Sequence, residues 1–218
     1  GAGRFNATTS LGDLDGDGDL DLITSGETNT GVGATFLEKY INNGAGGFTT
    51  NITADVLNAP TAIVATDLNN DGYPDIVLGN ATNVQAYYNV DGTGTLTAKT
   101  AVATTAGVVR LVAGDFNLDG DADVVALLAD SVDRLLGDPA DATAFNGGAV
   151  TNYAGSAGSG YTACVAADTD KDGDLDVVAL DDTENHLEIF VNDGAGVLGT
   201  PDDSDNATTK EDLANVGH

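Results

Sequence analysis

The chain contains no methionine, no tryptophan, one cysteine and only four prolines in 218 residues. A single thiol, Cys164, permits no intrachain disulfide and supplies nothing from which to build a zinc site. The longest purely apolar run, residues 124–129, falls far short of the ~20 residues that a membrane-spanning helix requires. Basic side chains are equally scarce: seven Lys and Arg stand against 35 acids, for a formal charge of -28. A chain this anionic excludes DNA and RNA binding by phosphate neutralisation, and anionic membrane surfaces repel it. The charged partners left to it are cations. Plain disorder is excluded too, because 41% of the residues are hydrophobic and only 19% are charged. The opening Gly-Ala-Gly, without an initiator or a signal peptide, reads as a processed product, an excised fragment or an incompletely known polypeptide.

What is present is aspartate: 30 Asp against 5 Glu. A merely solvated acidic surface would draw on both, so the bias asks for a local cause. Four nonapeptides supply it. They are Asp13-Leu-Asp-Gly-Asp-Gly-Asp-Leu-Asp21, Asp67-Leu-Asn-Asn-Asp-Gly-Tyr-Pro-Asp75, Asp115-Phe-Asn-Leu-Asp-Gly-Asp-Ala-Asp123 and Asp168-Thr-Asp-Lys-Asp-Gly-Asp-Leu-Asp176. Written generally the pattern is D-x-[DN]-x-D-G-x-x-D, and the first residues lie 54, 48 and 53 positions apart. Repetition at a period near 50 marks an array of one supersecondary unit.

The flanks repeat as well. Each nonapeptide runs into an apolar stretch (22–23, 76–78, 124–126, 177–179), and the last three also follow one (62–65, 108–113, 164–166). Alternating strands are expected over 36–41, 84–88 and 186–191, each followed by a Gly-rich turn. Residues 137–160 read as loop and are hard to place. No segment carries sustained helical periodicity, so the chain reads as all-β. Repeats are expected at 1–48, 49–96, 97–148 and 149–198, with 199–218 as an extra terminal strand or tail.

Acids or amides at positions 1, 3 and 5 repel or crowd one another unless a cation sits among them. Glycine at position 6 permits the bend that brings them onto one centre. Position 7 can offer a carbonyl, and the acid at position 9 closes the shell. Six or seven hard oxygens with no His or Cys suit Ca²⁺ better than Mg²⁺. An EF-hand would need Glu at position 12 between two helices, but Thr24, Leu78, Ala126 and Ala179 stand there among strands. Dockerin-like loops fail for want of a following helix. Simple Asp-Gly turn chemistry leaves the further acids in register unexplained.

With these loops, the strands after them and the G-x-G-x-[FL] turns at 44–48, 92–96 and 194–198, the chain resembles the FG-GAP or VCBS family of β-propeller repeats, found in integrin α-subunit heads and many microbial surface proteins. The resemblance covers nearly the whole chain and is weakest over 137–160. It implies propeller-type blades of four antiparallel strands, each calcium loop joining two neighbouring strands of a blade. It further implies four Ca²⁺ sites. Their side-chain ligands would be Asp13, Asp15, Asp17 and Asp21; Asp67, Asn69, Asp71 and Asp75; Asp115, Asn117, Asp119 and Asp123; and Asp168, Asp170, Asp172 and Asp176. Asp19, Tyr73, Asp121 and Asp174 would contribute carbonyls.

The departure from that family is the count, since its propellers usually have seven or eight blades. The turn-like residues 1–5 match those at 44–48, so the chain is expected to start partway through a repeat. It could close as a four-bladed ring, form part of a larger propeller, or pair a spare terminal strand with the next copy, building a filament.

Function follows in three readings. The first is a non-catalytic, calcium-stabilised extracellular module for surface adhesion or assembly, with copies of itself or surface glycans and proteins as partners. Calcium at a hundredfold over Kd is worth ~2.7 kcal/mol per site, so four sites amount to roughly 10 kcal/mol, comparable to a whole domain's stability. The second is a self-assembling filament or surface-layer subunit. The third is a polysaccharide lyase-type module, which the residues support poorly. The histidines are His186, in an expected strand, and His218; the seven bases do not cluster. Gly155-Ser-Ala-Gly-Ser-Gly160 resembles a nucleophile elbow only loosely, and Cys164 sits in an apolar strand without a base. N-x-[ST] sequons occur at Asn6, Asn51, Asn80 and Asn206, close to the number that chance supplies; they permit N-glycosylation in an exported protein. Loops of this kind fill where calcium is millimolar, which points outside the cell. Of the 35 acids, 17 lie in the four nonapeptides, so about half of the charge traces to metal ligands or their neighbours.

Overall fold

β-Branched and aromatic runs bounded by Asp/Gly turns form short antiparallel strands here because each run has two faces to bury and too few residues to make a helix. The structure, a computed structural model, describes residues 4–28, 35–54, 56, 59–90, 92, 95–183 and 185–201. Four small sheets follow one another along the chain. The first contains β1 (Arg4–Gly12), β2 (Asp21–Thr28), β3 (Thr35–Asn42) and β4 (Phe48–Ala54), in that spatial order. The second contains β5 (Ala62–Thr66), β6 (Asp75–Gly79), β7 (Asn83–Asn89) and β8 (Leu96–Ala98), with β9 (Val102–Ala103) sharing the edge of β7. The third contains β10 (Arg110–Gly114), β11 (Asp123–Leu127), β12 (Ser131–Leu135) and β13 (Thr151–Ala154). The fourth contains β14 (Tyr161–Ala167), β15 (Asp176–Asp181) and β16 (His186–Phe190), extended by a bridge between Asn192 and Leu198. All these pairings are antiparallel and, β9 apart, join consecutive strands as meanders; the sheets are arranged as the blades of a four-bladed β-propeller.

The expected strands at 62–65, 84–88, 108–113, 164–166 and 186–191 lie on or across β5, β7, β10, β14 and β16. Residues 137–160, expected as loop, contain β13, a bridge from Gly137 to Phe145 and a single 3-10 turn at Asn146–Gly148. Fully buried Phe145 plugs the core there, and the segment's small and polar residues hide the strand from a periodicity reading. Among the described residues no helix is long and apolar enough to cross a membrane. Residues 1–3 lie outside the described set, as do residues 202–218 of the extra terminal strand or tail expected over 199–218.

Blades stack face to face, and this explains why β6 and β11 read as continuous apolar runs rather than alternating ones. Every residue of both strands is buried. Ile23 faces the first seam with Ile76 and Tyr87; Val77 and Ala86 face the second with Val124 and Leu135; Val125 faces the third with Val177 and Phe190. Successive residues of one strand therefore serve different seams. Each such side chain, removed from water, is worth ~1.5–3 kcal/mol, and an acid at Val77 or Val125 would open two blades at once. The innermost strands β1, β5, β10 and β14 pack in sequence. The four nonapeptides connect β1 to β2, β5 to β6, β10 to β11 and β14 to β15, so all four lie at the same end of their blades.

Candidate metal-binding loops

Each nonapeptide folds the same way. The carboxylate at position 1 turns inward and accepts from the loop's own backbone. Asp13 accepts from Gly16 N at 2.8 Å and Gly18 N at 2.9 Å, Asp67 from Gly72 N at 2.8 Å, Asp115 from Gly120 N at 2.9 Å, and Asp168 from Gly173 N at 3.2 Å. Position 3 accepts from the backbone of position 5: Asp15, Asn69, Asn117 and Asp170 do so at 3.3, 3.0, 3.2 and 3.2 Å. Position 5 accepts from position 7: Asp17, Asp71, Asp119 and Asp172 take the N–H groups of Asp19, Tyr73, Asp121 and Asp174 at 2.9, 3.0, 2.9 and 3.2 Å. These Asx-type turns coil the chain so that both oxygens of position 1 and one oxygen each of positions 3 and 5 accept from the loop. Glycine at position 6 is required by the backbone: Gly18, Gly72, Gly120 and Gly173 have φ of 93, 91, 94 and 103°, where a side chain would be strained.

Position 9 behaves differently. Asp21, Asp75, Asp123 and Asp176 are completely buried. One oxygen of each accepts from position 2 of its loop: Leu14 N at 2.8, Leu68 N at 2.9, Phe116 N at 2.9 and Thr169 N at 2.8 Å. The other accepts from the chain at the end of the third strand or just past it: Asn42 N at 2.8, Asn89 N at 2.7, Gly137 N at 2.6 and Asn192 N at 2.9 Å. These aspartates therefore tie loop to blade, a role the motif alone did not disclose. Burial pushes the carboxyls of Asp75 and Asp123 up to about 6, against the pull of those backbone donors.

The donor set fits a hard cation. Carboxylate oxygens of Asp13, Asp15 and Asp17 lie within 4.8 Å of one another, as do those of Asp168, Asp170 and Asp176. Burial and then Asp17 raise the pKa of Asp15; burial raises that of Asp170 despite the backbone bond from Asp172. Asp174, expected to offer a carbonyl, also brings its carboxylate: the side chain is buried, its Oδ1 has no partner, and burial with Asp172 pushes it up to about 6. In the second and third loops the amide at position 3 replaces an acid, and Asn69 and Asn117 donate to Asp71 and Asp119 at 3.0 and 2.7 Å. Those two loops carry less self-repulsion.

Buried asparagines and one exposed pair link the loops, and sequence reasoning missed them. Asn89 Nδ2 donates to Leu14 O at 2.7 Å and to Pro74 O at 3.3 Å; Asn192 Nδ2 donates to Phe116 O at 2.6 Å and to Leu175 O at 3.0 Å. Each joins its own loop to that of the preceding blade. Gly137 occupies the corresponding place in the third blade and has no side-chain amide, and there Asn70 Nδ2 donates to Asp121 at 2.6 Å instead.

The remaining singled-out residues fall elsewhere. His186 lies 3.3 Å from Glu188, which is fully buried and also accepts from Tyr161 OH and, at 3.2 Å, from Ser156 N. Ligand-type atoms of Asp181, His186 and Glu188 come within 4.8 Å of one another. Ser156 and Ser159 of the elbow-like stretch bond to each other, Ser159 Oγ donating to Ser156 O at 2.8 Å. Burial pushes the Cys164 thiol up to about 12, against a small pull from Arg110. Of the sequons, Asn6 and Asn51 lie on β1 and β4. Asn80 is buried, its Oδ1 accepting from Thr82 N and Asn83 N at 2.8 Å each. Asn206 and His218 lie outside the described residues.

Comparison with known proteins places this geometry. A family profile described as FG-GAP-like repeat matches residues 13–78 and again 67–126. No curated protein matches. Among solved structures, an Agrocybe aegerita lectin, described as recognising non-reducing terminal N-acetylglucosamine, matches with a TM-score of 0.57 and 21% identity. The match covers 88% of this chain and 50% of the lectin, so the chain spans about half the length of that structure.

Proposed function

Because the chain belongs to the FG-GAP-like repeat family, we propose that it is a non-catalytic, calcium-stabilised repeat module of the extracellular surface, acting in adhesion or assembly. One observation carries the reading: the same acidic loop recurs at the same place in all four blades, with carboxylates gathered and no base among them to neutralise the charge except the exposed Lys171. Four such loops at one end of a propeller are a costly arrangement without a cation, since like charges at this spacing raise one another's pKa.

Calcium held by Asp13, Asp15 and Asp17, and by the corresponding groups of the other loops, would supply the missing positive charge and fix the loop that joins the first two strands of each blade. Position 9 would then connect that loop to the third strand. The role is structural, and millimolar extracellular calcium would keep the sites filled. Copies of the chain, surface glycans or surface proteins are the partners this role implies. Equilibrium dialysis with ⁴⁵Ca²⁺ after EDTA stripping tests the reading, which expects tight uptake and would be lost if none were retained.

A further inference from the structure

The fourth blade presents a face that every earlier blade covers. On the side turned toward the next blade, each blade carries a rung of three side chains across its first three strands: Ser10–Ile23–Lys39, Val64–Val77–Ala86, Val112–Val125–Arg134 and Val165–Val178–Ile189. Ile23, Val77 and Val125 are completely buried in the three seams. In the fourth blade Val165 is instead 58% exposed, and on the adjoining rung Ala163–Leu180–Leu187 the two leucines are 38% and 48% exposed. No charge interrupts either rung.

The complementary face stands at the other end of the chain. The rungs Ala65–Ile76–Tyr87, Ala113–Val124–Leu135 and Ala166–Val177–Phe190 fill the seams from the far side. Their counterpart in the first blade is Leu11–Leu22–Tyr40, where Leu11 is 57% exposed. The asparagine link follows the same logic. Asn89 and Asn192 reach the loop of the preceding blade, whereas Asn42, at the same place in the first blade, donates to Leu20 O at 3.2 Å within its own blade. Leu11 and Val165 are both more than half exposed, so the two end faces do not close on each other through these rungs within one chain.

We propose that a second copy of this chain docks head to tail, its first blade stacking on the fourth blade of its neighbour through the same seam that the chain uses three times internally. The apolar rungs supply the contact, and Asn42 supplies the link to the neighbour's fourth loop. The occupant is a second copy because the chain itself carries both halves of that seam. A head-to-tail contact of this kind closes as a ring or continues as a row. The inference deepens the assembly role proposed above, and association is measured in saturating calcium with the melt followed separately, so that a failure of calcium binding is distinguishable from a failure of stacking.

Sedimentation velocity of the full chain across a concentration series tests it. The wild type is expected to associate. V165D and L11D are each expected to lose open-ended growth and sediment mainly as monomer, with unchanged melts. Mixed one to one they are expected to form a heterodimer, because the first keeps an intact leading face and the second an intact trailing face. Leu187→Lys reads the same trailing face should V165D disturb the blade. A wild type that stays monomeric throughout overturns the proposal. So does association unaffected by these substitutions, which would favour exchange of terminal strands.

Discussion

Asn89 reaches out of the second blade and donates its amide to the carbonyl of Leu14, at 2.7 Å, inside the acidic loop of the first. The bond is buried, joins residues 75 apart in sequence and ties the second blade to the loop of the first. It makes the loops a connected row rather than independent sites. Leu14 itself is completely buried in the seam below, so the carbonyl that Asn89 holds belongs to a residue already fixed by packing.

Asn89→Ala is expected to destabilise the protein by about 1–3 kcal/mol, the cost of stranding a buried carbonyl. Urea denaturation with calcium present checks this, and the same loss is expected for Asn192→Ala. A stability within a few tenths of a kcal/mol of wild type would show the link to be incidental.

The two kinds of loop acid should separate. Asp17→Asn leaves the loop's backbone bonds available but removes one charge, so calcium affinity falls while the calcium-free melt holds or rises. Asp21 is completely buried and accepts from both Leu14 N and Asn42 N, so Asp21→Ala costs stability with or without calcium. Parallel calcium titrations and calcium-free melts of the two variants read the difference.

Acid dependence carries a definite sign. Asp75 and Asp123 have folded-state pKa values raised to about 6 from 3.8. A group raised on folding stabilises the fold fully below its unfolded value and loses that contribution as pH rises through its folded value. Calcium-free protein should therefore melt at falling temperature from pH 4 to pH 7. Calcium competes with protons for the same loops, so the gap between calcium-loaded and calcium-free melts should widen over that window. Melting curves at half-unit pH steps, with and without EDTA, test both slopes.

Cys164 is half-buried, and with its thiol pushed up to about 12 by desolvation it should alkylate at pH 8 more slowly in the native protein than in denaturant. Reaction of the native thiol at the rate of a free one would contradict the raised thiol pKa.

Much of this was legible in the sequence, because the repeat prints its own register. The four nonapeptides placed the turns, and the apolar runs after them placed β6, β11 and β15; burial of β6 and β11 on both faces removes alternation there. The loops' inward side chains were legible because glycine at position 6 marks the positive-φ bend that turns them onto one centre. What escaped depended on contacts between repeats. Nothing local to Asn89 or Asn192 distinguishes an asparagine that crosses to the next loop from one that ends a strand. The double grip of Asp21, Asp75, Asp123 and Asp176 escaped for the same reason, since half of it comes from the far end of the third strand. β13 escaped because Thr151-Asn-Tyr-Ala154 is short, polar and mostly exposed, with its identity set by pairing to β12 rather than by pattern.

Calorimetric titration of calcium into EDTA-stripped protein, followed by a melt of the same sample, tests the central claim most directly. The account predicts saturable binding approaching one ion per acidic loop, and a rise in melting temperature as the sites fill, with up to roughly 10 kcal/mol of stability linked to occupancy at high free calcium. No binding heat in buffers of differing ionisation enthalpy, together with an EDTA melt indistinguishable from the calcium melt, would contradict it.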